Sequence, residues 1–163
     1  YGAKKIISKI NITKKSNVLL LGNGSVARVI YEILKEKKVN KIYLCSRNLN
    51  KYKNWKIRKS DQKINWKLKE SIKSNLMVNA TSIGMKGTKQ HNFFHNKKIK
   101  NFENIFDLTI NDKSLLKKNA KINKIKFYGG KELSFYQGVK QFNIYNNLKI
   151  SEKLIAKKLN FKF

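Results

Sequence analysis

The residues from Asn17 to Asn48, NVLLLGNGSVARVIYEILKEKKVNKIYLCSRN, constrain the fold more than any other stretch. Asn17-Val18-Leu19-Leu20-Leu21 is a short apolar run that ends in Gly22-Asn23-Gly24-Ser25-Val26-Ala27, and apolar Val26, Val29, Ile30, Ile33 and Leu34 follow at helical spacing. That order is strand, glycine turn, helix. A second apolar strand, Lys41 to Cys45, begins after the polar Glu36-Lys37-Lys38 and closes a βαβ unit of the length a parallel crossover needs. Gly22 permits the sharp exit from the strand, Gly24 leaves out a side chain where an anion approaches backbone, and Ala27 lets the helix pack closely on the sheet. Unpaired amides of the first helical turn, with the helix dipole behind them, favour a pyrophosphate. GxGxxA in this setting predicts a dinucleotide site, against the alternative of a glycine-containing αβ turn with no ligand.

The end of the second strand predicts which dinucleotide. An NAD site usually places Asp or Glu about 20 residues beyond the glycines, where the carboxylate holds the ribose hydroxyls. Leu44, Cys45 and Ser46 occupy that region without an acid, and Arg47 and Lys51 follow. A guanidinium there can stack on adenine and fork onto a 2′-phosphate, with Lys51 as a second positive charge. A chance cation is the competing explanation in so basic a chain, but missing acid and present cation together favour NADP.

A chain of 163 residues suits one domain of ordinary size. No segment approaches about 18 consecutive apolar residues, and no secretory signal pattern opens the chain, so a cytoplasmic protein without membrane contact is expected. The single Cys45 cannot form an internal disulfide and reads as a core residue. A net charge of +29 attracts any polyanion. The lysines are nevertheless spread over nearly every predicted helix and loop, and the absence of proline with abundant Lys, Asn and Ile resembles drift under an AT-biased genome. Specific nucleic-acid binding is not expected, whereas salt-dependent attraction of an anionic cofactor and substrate is.

Elsewhere, Ile6, Ile7 and Ile10 predict a short helix over Tyr1 to Ile10, and its abrupt start suggests the second part of a longer protein. A short helix is predicted over Arg47 to Lys53, a weak strand within Trp55 to Ile64, and a crossover helix over Trp66 to Ser71 with Leu68 and Ile72 inward. Leu76-Met77-Val78 predicts a buried strand emptying into Asn79-Ala80-Thr81-Ser82-Ile83-Gly84-Met85, small polar residues of the kind that line the ligand edge of a doubly wound sheet, with Thr81 and Ser82 toward the cofactor. His91 and His95 stand four apart without an acid or Cys to complete a metal site, so none is expected. Lys86 to Asn101 reads as a surface loop anchored by Phe93, Phe94, Ile99 and Phe102. Asn104 to Leu108 is a further strand with Asp107 at its exit, Leu115, Leu116 and Ala120 mark a helix, and Lys124 to Tyr128 alternates as an edge strand. A long helix from Lys131 carries Leu133, Phe135, Tyr136, Val139, Phe142, Ile144 and Tyr145, and a last amphipathic helix runs from Ile150 to Lys158 through Leu154, Ile155 and Leu159.

GNGSVA, SRN with Lys51, VNATSIGM, FDLT and GGKELSFYQG, taken in this order and spacing, resemble the C-terminal NADP-binding domain of the shikimate dehydrogenase family from Tyr1 to about Ile155. The family pattern is GAGGAA, NRT with a following basic residue, INATxxGM, a D-L-x-Y stretch, and a Gly followed seven residues later by Gln. The resemblance implies an α/β Rossmann-like, doubly wound, mainly parallel sheet with helices on both faces and C-terminal helices. Residues 1–163 would form one NADP-binding domain, 1–10 being a linker helix and 131–160 helices that pack back toward an N-terminal substrate domain.

It further implies that Gly22, Asn23, Gly24, Ser25 and Val26 hold the pyrophosphate, and that Ser46, Arg47, Asn48 and Lys51 hold the adenosine phosphate. Asn79, Thr81 and Met85 would lie near the nicotinamide, Leu108 and Gly130 would contact it, and Gln137 would hydrogen-bond the substrate. Three departures stand out: Ser25 replaces a glycine, Asn48 replaces Thr, and Ile110 replaces the Tyr that touches substrate. The implied reaction is hydride transfer from NADPH to the C3 carbonyl carbon of 3-dehydroshikimate, reversibly giving shikimate. The Lys and Asp that handle the proton belong to the N-terminal domain, so no catalytic residue is expected in this chain, as a monomer or a homodimer. An NAD-preferring quinate/shikimate dehydrogenase, a stand-alone nucleotide sensor and a nucleic-acid-binding module are the competing readings.

Overall fold

Val18 and Leu20 of strand β1 (Asn17–Leu21) enter one half of the core and Leu19 and Leu21 the other, and all four are fully buried. Successive side chains point to opposite faces of a strand, so a strand covered on both faces reads as continuously apolar. The chain follows that logic in a computed structural model that describes residues 1–85, 87, 94, 95, 97–111 and 113–161. Helix α1 (Gly2–Lys9) precedes β1, and α2 (Ser25–Glu36) leads to β2 (Lys41–Ser46). Strands β3 (Gln62–Asn65), β4 (Ser74–Asn79) and β5 (Phe102–Asp107) follow, then helix α3 (Leu115–Ile122), strand β6 (Lys126–Gly129), and helices α4 (Gly130–Tyr145) and α5 (Glu152–Lys158).

The sheet runs β3-β2-β1-β4-β5-β6 with every pairing parallel, where the sequence predicted a mainly parallel one. After β1 the chain winds outward to β2 and β3, then crosses back and winds the other way from β4 to β6. That reversal opens a crevice between the carboxyl ends of β1 and β4, the place where doubly wound sheets hold ligands. One core half gathers α1, α2, α4 and Ala156 of α5; the other gathers α3, Phe94, Ile99 and Phe102. α1 is fastened to the C-terminal helices by Lys9–Glu132 at 2.6 Å, Lys5–Glu152 at 3.2 Å and a hydrogen bond from the Tyr1 hydroxyl to Glu152.

Several expectations give way to packing. Val26 and Val29 are 52% and 55% exposed, so the buried stripe of α2 is Ala27, Ile30, Tyr31, Ile33 and Leu34. The strand expected within Trp55 to Ile64 shrinks to Gln62–Asn65, because residues ahead of it are folded into turns around Asp61. Asp61 accepts from the Tyr31 hydroxyl at 2.8 Å, from Ile42 N at 2.8 Å, and from Arg58 Nε and Nη2 at 2.9 and 2.7 Å. Trp66–Ser71 is a 3₁₀ helix, and its three-residue period leaves Leu68 54% exposed instead of inward. Phe142, Ile144 and Tyr145 of α4, and Leu154 and Leu159 at α5, are also exposed, so the apolar residues of α4 do not form one buried stripe. Phe94, Ile99 and Phe102 are buried as anchors, while Phe93 lies outside the described residues. Cys45 is buried, and burial pushes its thiol up to about 12, as a core residue requires.

Candidate functional site

The carboxyl ends of β1, β2 and β4 surround an open cleft of about 290 Å³. Gly22, Asn23 and Gly24 form one wall, Ser46, Arg47, Asn48 and Lys51 the second, and Thr81 with Ser82 the third. Among the described residues that line it none is acidic, and two are cationic.

The glycine turn is built as its composition requires. Gly22 has φ +111°, and a Cβ there would stand 2.7 Å from the Ala80 carbonyl oxygen. That oxygen cannot retreat easily, because Ala80 N donates to Leu21 O at 2.9 Å and continues the β1–β4 ladder. Gly22 is also held by its own N–H to Cys45 O at 2.9 Å and by the buried Tyr52 hydroxyl, which donates to Gly22 O at 2.9 Å. Burial pushes that phenol well above its ordinary range, so it remains a donor. Gly24 caps α2 with φ −80°, and a Cβ on it would meet nothing within 4 Å. Its missing side chain therefore serves no internal packing; it leaves room at the mouth of the cleft, in front of the first-turn amides of α2. Ser25 and Val26 form that exposed first turn, and Ala27 is fully buried against the sheet.

The second wall is tied to the first. Asn23 Nδ2 donates to Asn48 O at 2.8 Å, and Ser46 Oγ donates to the same oxygen at 3.0 Å. Asn48 Oδ1 accepts from Asn50 N at 3.0 Å and caps the 3₁₀ turn Leu49–Tyr52, which carries Lys51 to the rim. Arg47 and Lys51 are both exposed, so their charges act across the cleft mouth.

At β4 the fully buried Asn79 organises the third wall. Its Oδ1 accepts from Thr81 N at 3.1 Å and Thr81 Oγ1 at 2.7 Å, and its Nδ2 donates to Ile83 O at 3.1 Å and to Asp107 Oδ1 at 2.9 Å. Asn79 is therefore a scaffold beneath the loop, while Thr81 faces the cleft. Burial raises the pKa of Asp107 above its ordinary value, against hydrogen bonds from Thr109 and Asn79 that lower it.

Not among the residues lining this cleft are the expected Ser25 and Val26, on the exposed first turn of α2, and the expected Leu108, Gly130, Ile110 and Gln137. Gly130 starts α4 so close to the exit of the neighbouring strand β5 that a Cβ would be 2.3 Å from Leu108 O, which brings Leu108 and Gly130 into direct contact. Ile110 is 57% exposed. Gln137 is exposed on α4, and its Cγ would lie 3.0 Å from a Cβ on Gly2, at the α1–α4 crossing. Of the other cleft residues, Ala80, Ser82 and Ile83 belong to the Asn79–Met85 stretch expected at the ligand edge, while Trp66 carried no site signal in the sequence. Their positions depend on where β3 and β4 end, which apolar runs leave uncertain by a few residues. No cluster of three or more His, Cys, Asp or Glu that could hold a metal is found among the described residues. His95 pairs with Glu70 at 2.9 Å, and His91 lies outside the described residues.

No protein-family model matches the chain. Among curated proteins, shikimate dehydrogenase (NADP(+)) of Clostridium perfringens is 30% identical over 173 aligned positions, covering 100% of this chain and 62% of its own length. The protein of the same name from Clostridium beijerinckii is 29% identical over 160 residues, covering 94% of this chain and 57% of its own length. A solved shikimate 5-dehydrogenase-like protein superposes with a TM-score of 0.84 at 26% identity, over 98% of this chain and 60% of that one. Shikimate dehydrogenase 1 from Peptoclostridium difficile superposes with a TM-score of 0.80 at 21% identity and shares the fold. The chain thus spans about three fifths of the length of the curated relatives it matches. Sheet order, the glycine turn at the β1–β4 crevice and these matches over nearly the whole of this chain agree: the chain has a Rossmann-like fold and is similar along its length to part of the shikimate dehydrogenases.

Proposed function

We propose that the chain is the NADP-binding half of a cytoplasmic shikimate dehydrogenase, an enzyme that reversibly reduces 3-dehydroshikimate to shikimate. The observation that carries this reading is the cleft at the switch point, whose glycine wall leaves space before the α2 amides and whose opposite wall offers Arg47 and Lys51 with no acid. A carboxylate at that wall would favour ribose hydroxyls; a guanidinium and an ammonium favour a 2′-phosphate. The names of the curated relatives, which specify NADP(+), support the same choice.

In this reading Gly22, Asn23, Gly24, Ser25 and Val26 hold the pyrophosphate with backbone amides, and Ser46, Arg47, Asn48 and Lys51 hold the adenosine phosphate. Thr81, Leu108 and Gly130 border the nicotinamide end, and Gln137 and Ile110 face the substrate. NADPH, when bound, supplies the hydride that reduces the C3 carbonyl. The chain's own part is to bind and orient it, and the rigid Asn79–Asp107 scaffold keeps the Thr81 wall in place for that purpose. Proton transfer belongs to a substrate domain toward which residues 131–160 pack, with 1–10 as the linker. The net charge of +29 draws both anionic ligands to the cleft.

Titrating the 163-residue chain with NADPH and NADH tests the reading. NADPH should bind the more tightly, and Arg47→Ala should weaken NADPH about 10- to 100-fold, the worth of a charge-assisted hydrogen bond, with little change for NADH. NADH binding as tight as NADPH binding would overturn the cofactor assignment. The chain alone should not oxidise NADPH with 3-dehydroshikimate.

A further inference from the structure

Trp66 belongs to none of the sequence motifs that mark the cofactor site, yet it forms part of the cleft wall. Its place follows from strand register. Ser46 of β2 is paired with Asn65 of β3, so Arg47 and Trp66 are the first residues beyond the ends of two adjacent parallel strands. Neighbouring strands lie about 4.8 Å apart, so the backbones of Arg47 and Trp66 leave the sheet from adjacent points on one rim, and both residues line the cleft. The indole is also well anchored. Asn65 Oδ1 accepts from Lys67 N at 3.0 Å and caps the 3₁₀ helix that Trp66 begins. The ring packs on the second core half, and Lys69 Nζ lies 5.1 Å from a ring centroid of Trp66.

We propose that Trp66 is the aromatic platform on which the adenine of the cofactor stacks, beside the Arg47 guanidinium; this rests on the dinucleotide reading of the cleft. Every base offers a π-face, and an anchored indole gives a stacking surface with few rotamers to lose. The same rim then carries two recognition elements of different chemistry: cations for phosphate and an indole for the base. Salt weakens the first and leaves the second, so the adenosine end should retain affinity at ionic strengths that screen Arg47 and Lys51.

Calorimetry with adenosine 2′,5′-bisphosphate, and with nicotinamide mononucleotide as control, tests the platform. Trp66→Ala should weaken the bisphosphate about ten-fold, leave the mononucleotide unchanged, and leave the melting curve cooperative. Trp66→Phe should restore most of the loss. The chain has two tryptophans, and Trp55 is packed with Tyr31 and Tyr52 at ring distances of 5.6 and 4.9 Å. Quenching of tryptophan emission by the bisphosphate should therefore be present in the wild type and absent in Trp66→Phe, a readout that holds even where the alanine variant fails to fold. Equal bisphosphate affinity in the wild type and Trp66→Ala, or quenching that persists in Trp66→Phe, would overturn the platform while leaving the dinucleotide site standing. A wild-type chain that binds neither the bisphosphate nor NADPH would overturn the dinucleotide reading itself.

Discussion

Replacing Asp61 by Ala removes the centre of the network that sets β3 beside β2. The Asp61 side chain is fully buried and takes four hydrogen bonds, from Tyr31, from Ile42 N and twice from Arg58. Deleting one partner of a buried ion pair costs about 3–5 kcal/mol, because the other charge stays without compensation. Arg58 is 26% exposed in its side chain and keeps a 2.9 Å bond to Val39 O, which places this site at the lower end, about 3 kcal/mol. For a domain of this size each kcal/mol lowers Tm by about 2–4 °C, so the expected fall is about 6–12 °C. Thermal unfolding followed by circular dichroism at neutral pH measures the fall in Tm, and urea unfolding the free-energy loss, with the m-value as the check on two-state behaviour. Arg58→Met/Asp61→Leu should be less destabilised than Asp61→Ala, since no unpaired charge remains. The phenol of Tyr31, which burial and Asp61 push up to about 12, should titrate lower in Asp61→Ala. A loss below about 1 kcal/mol in Asp61→Ala, the level of an exposed pair, would refute the reasoning.

The two glycines of the turn should separate stability from binding. Gly22→Ala meets a positive φ and the Ala80 carbonyl at once and should lose at least about 2 kcal/mol in chemical unfolding. Gly24→Ala, whose Cβ would meet nothing within 4 Å, should change stability by less than about 0.5 kcal/mol and, on the proposed reading that the pyrophosphate approaches the backbone there, still weaken NADPH at least ten-fold in titration. Asp107 should carry a pH signature. Its pKa is raised in the folded state, so its stabilising contribution is full below the unfolded pKa and lost as pH rises through the folded one. Asp107→Asn lacks that dependence, so the stability of the wild type relative to the variant should fall as pH rises from the ordinary carboxyl value, about 3.9, through the raised folded-state value in urea titrations.

The carboxyl edge of the sheet shows how far residues alone reach. Leu19-Leu20-Leu21 followed by Gly22 already required a strand, a sharp turn and a helix, because only glycine adopts φ +111° at that exit without strain. The absence of an acid before Arg47 was equally local, and the structure places Ser46, Arg47, Asn48 and Lys51 on one wall. Patterns failed where period and partner decide burial together. Leu68 was read on an α-helical period and lies on a 3₁₀ helix, and Val29 belongs to an apolar set wider than the face the sheet covers.

Local sequence thus determined the βαβ unit, the glycine turn and the sign of charge beside it, because each depends on residues within a few positions of one another. Tertiary structure decided that Tyr52 would hold the Gly22 carbonyl, that Asn79 would lie buried across from Asp107, and that Trp66 would stand beside Arg47. These are contacts between strands and turns far apart in the chain. They depend on sheet order and register, which side-chain periodicity along a single strand does not encode.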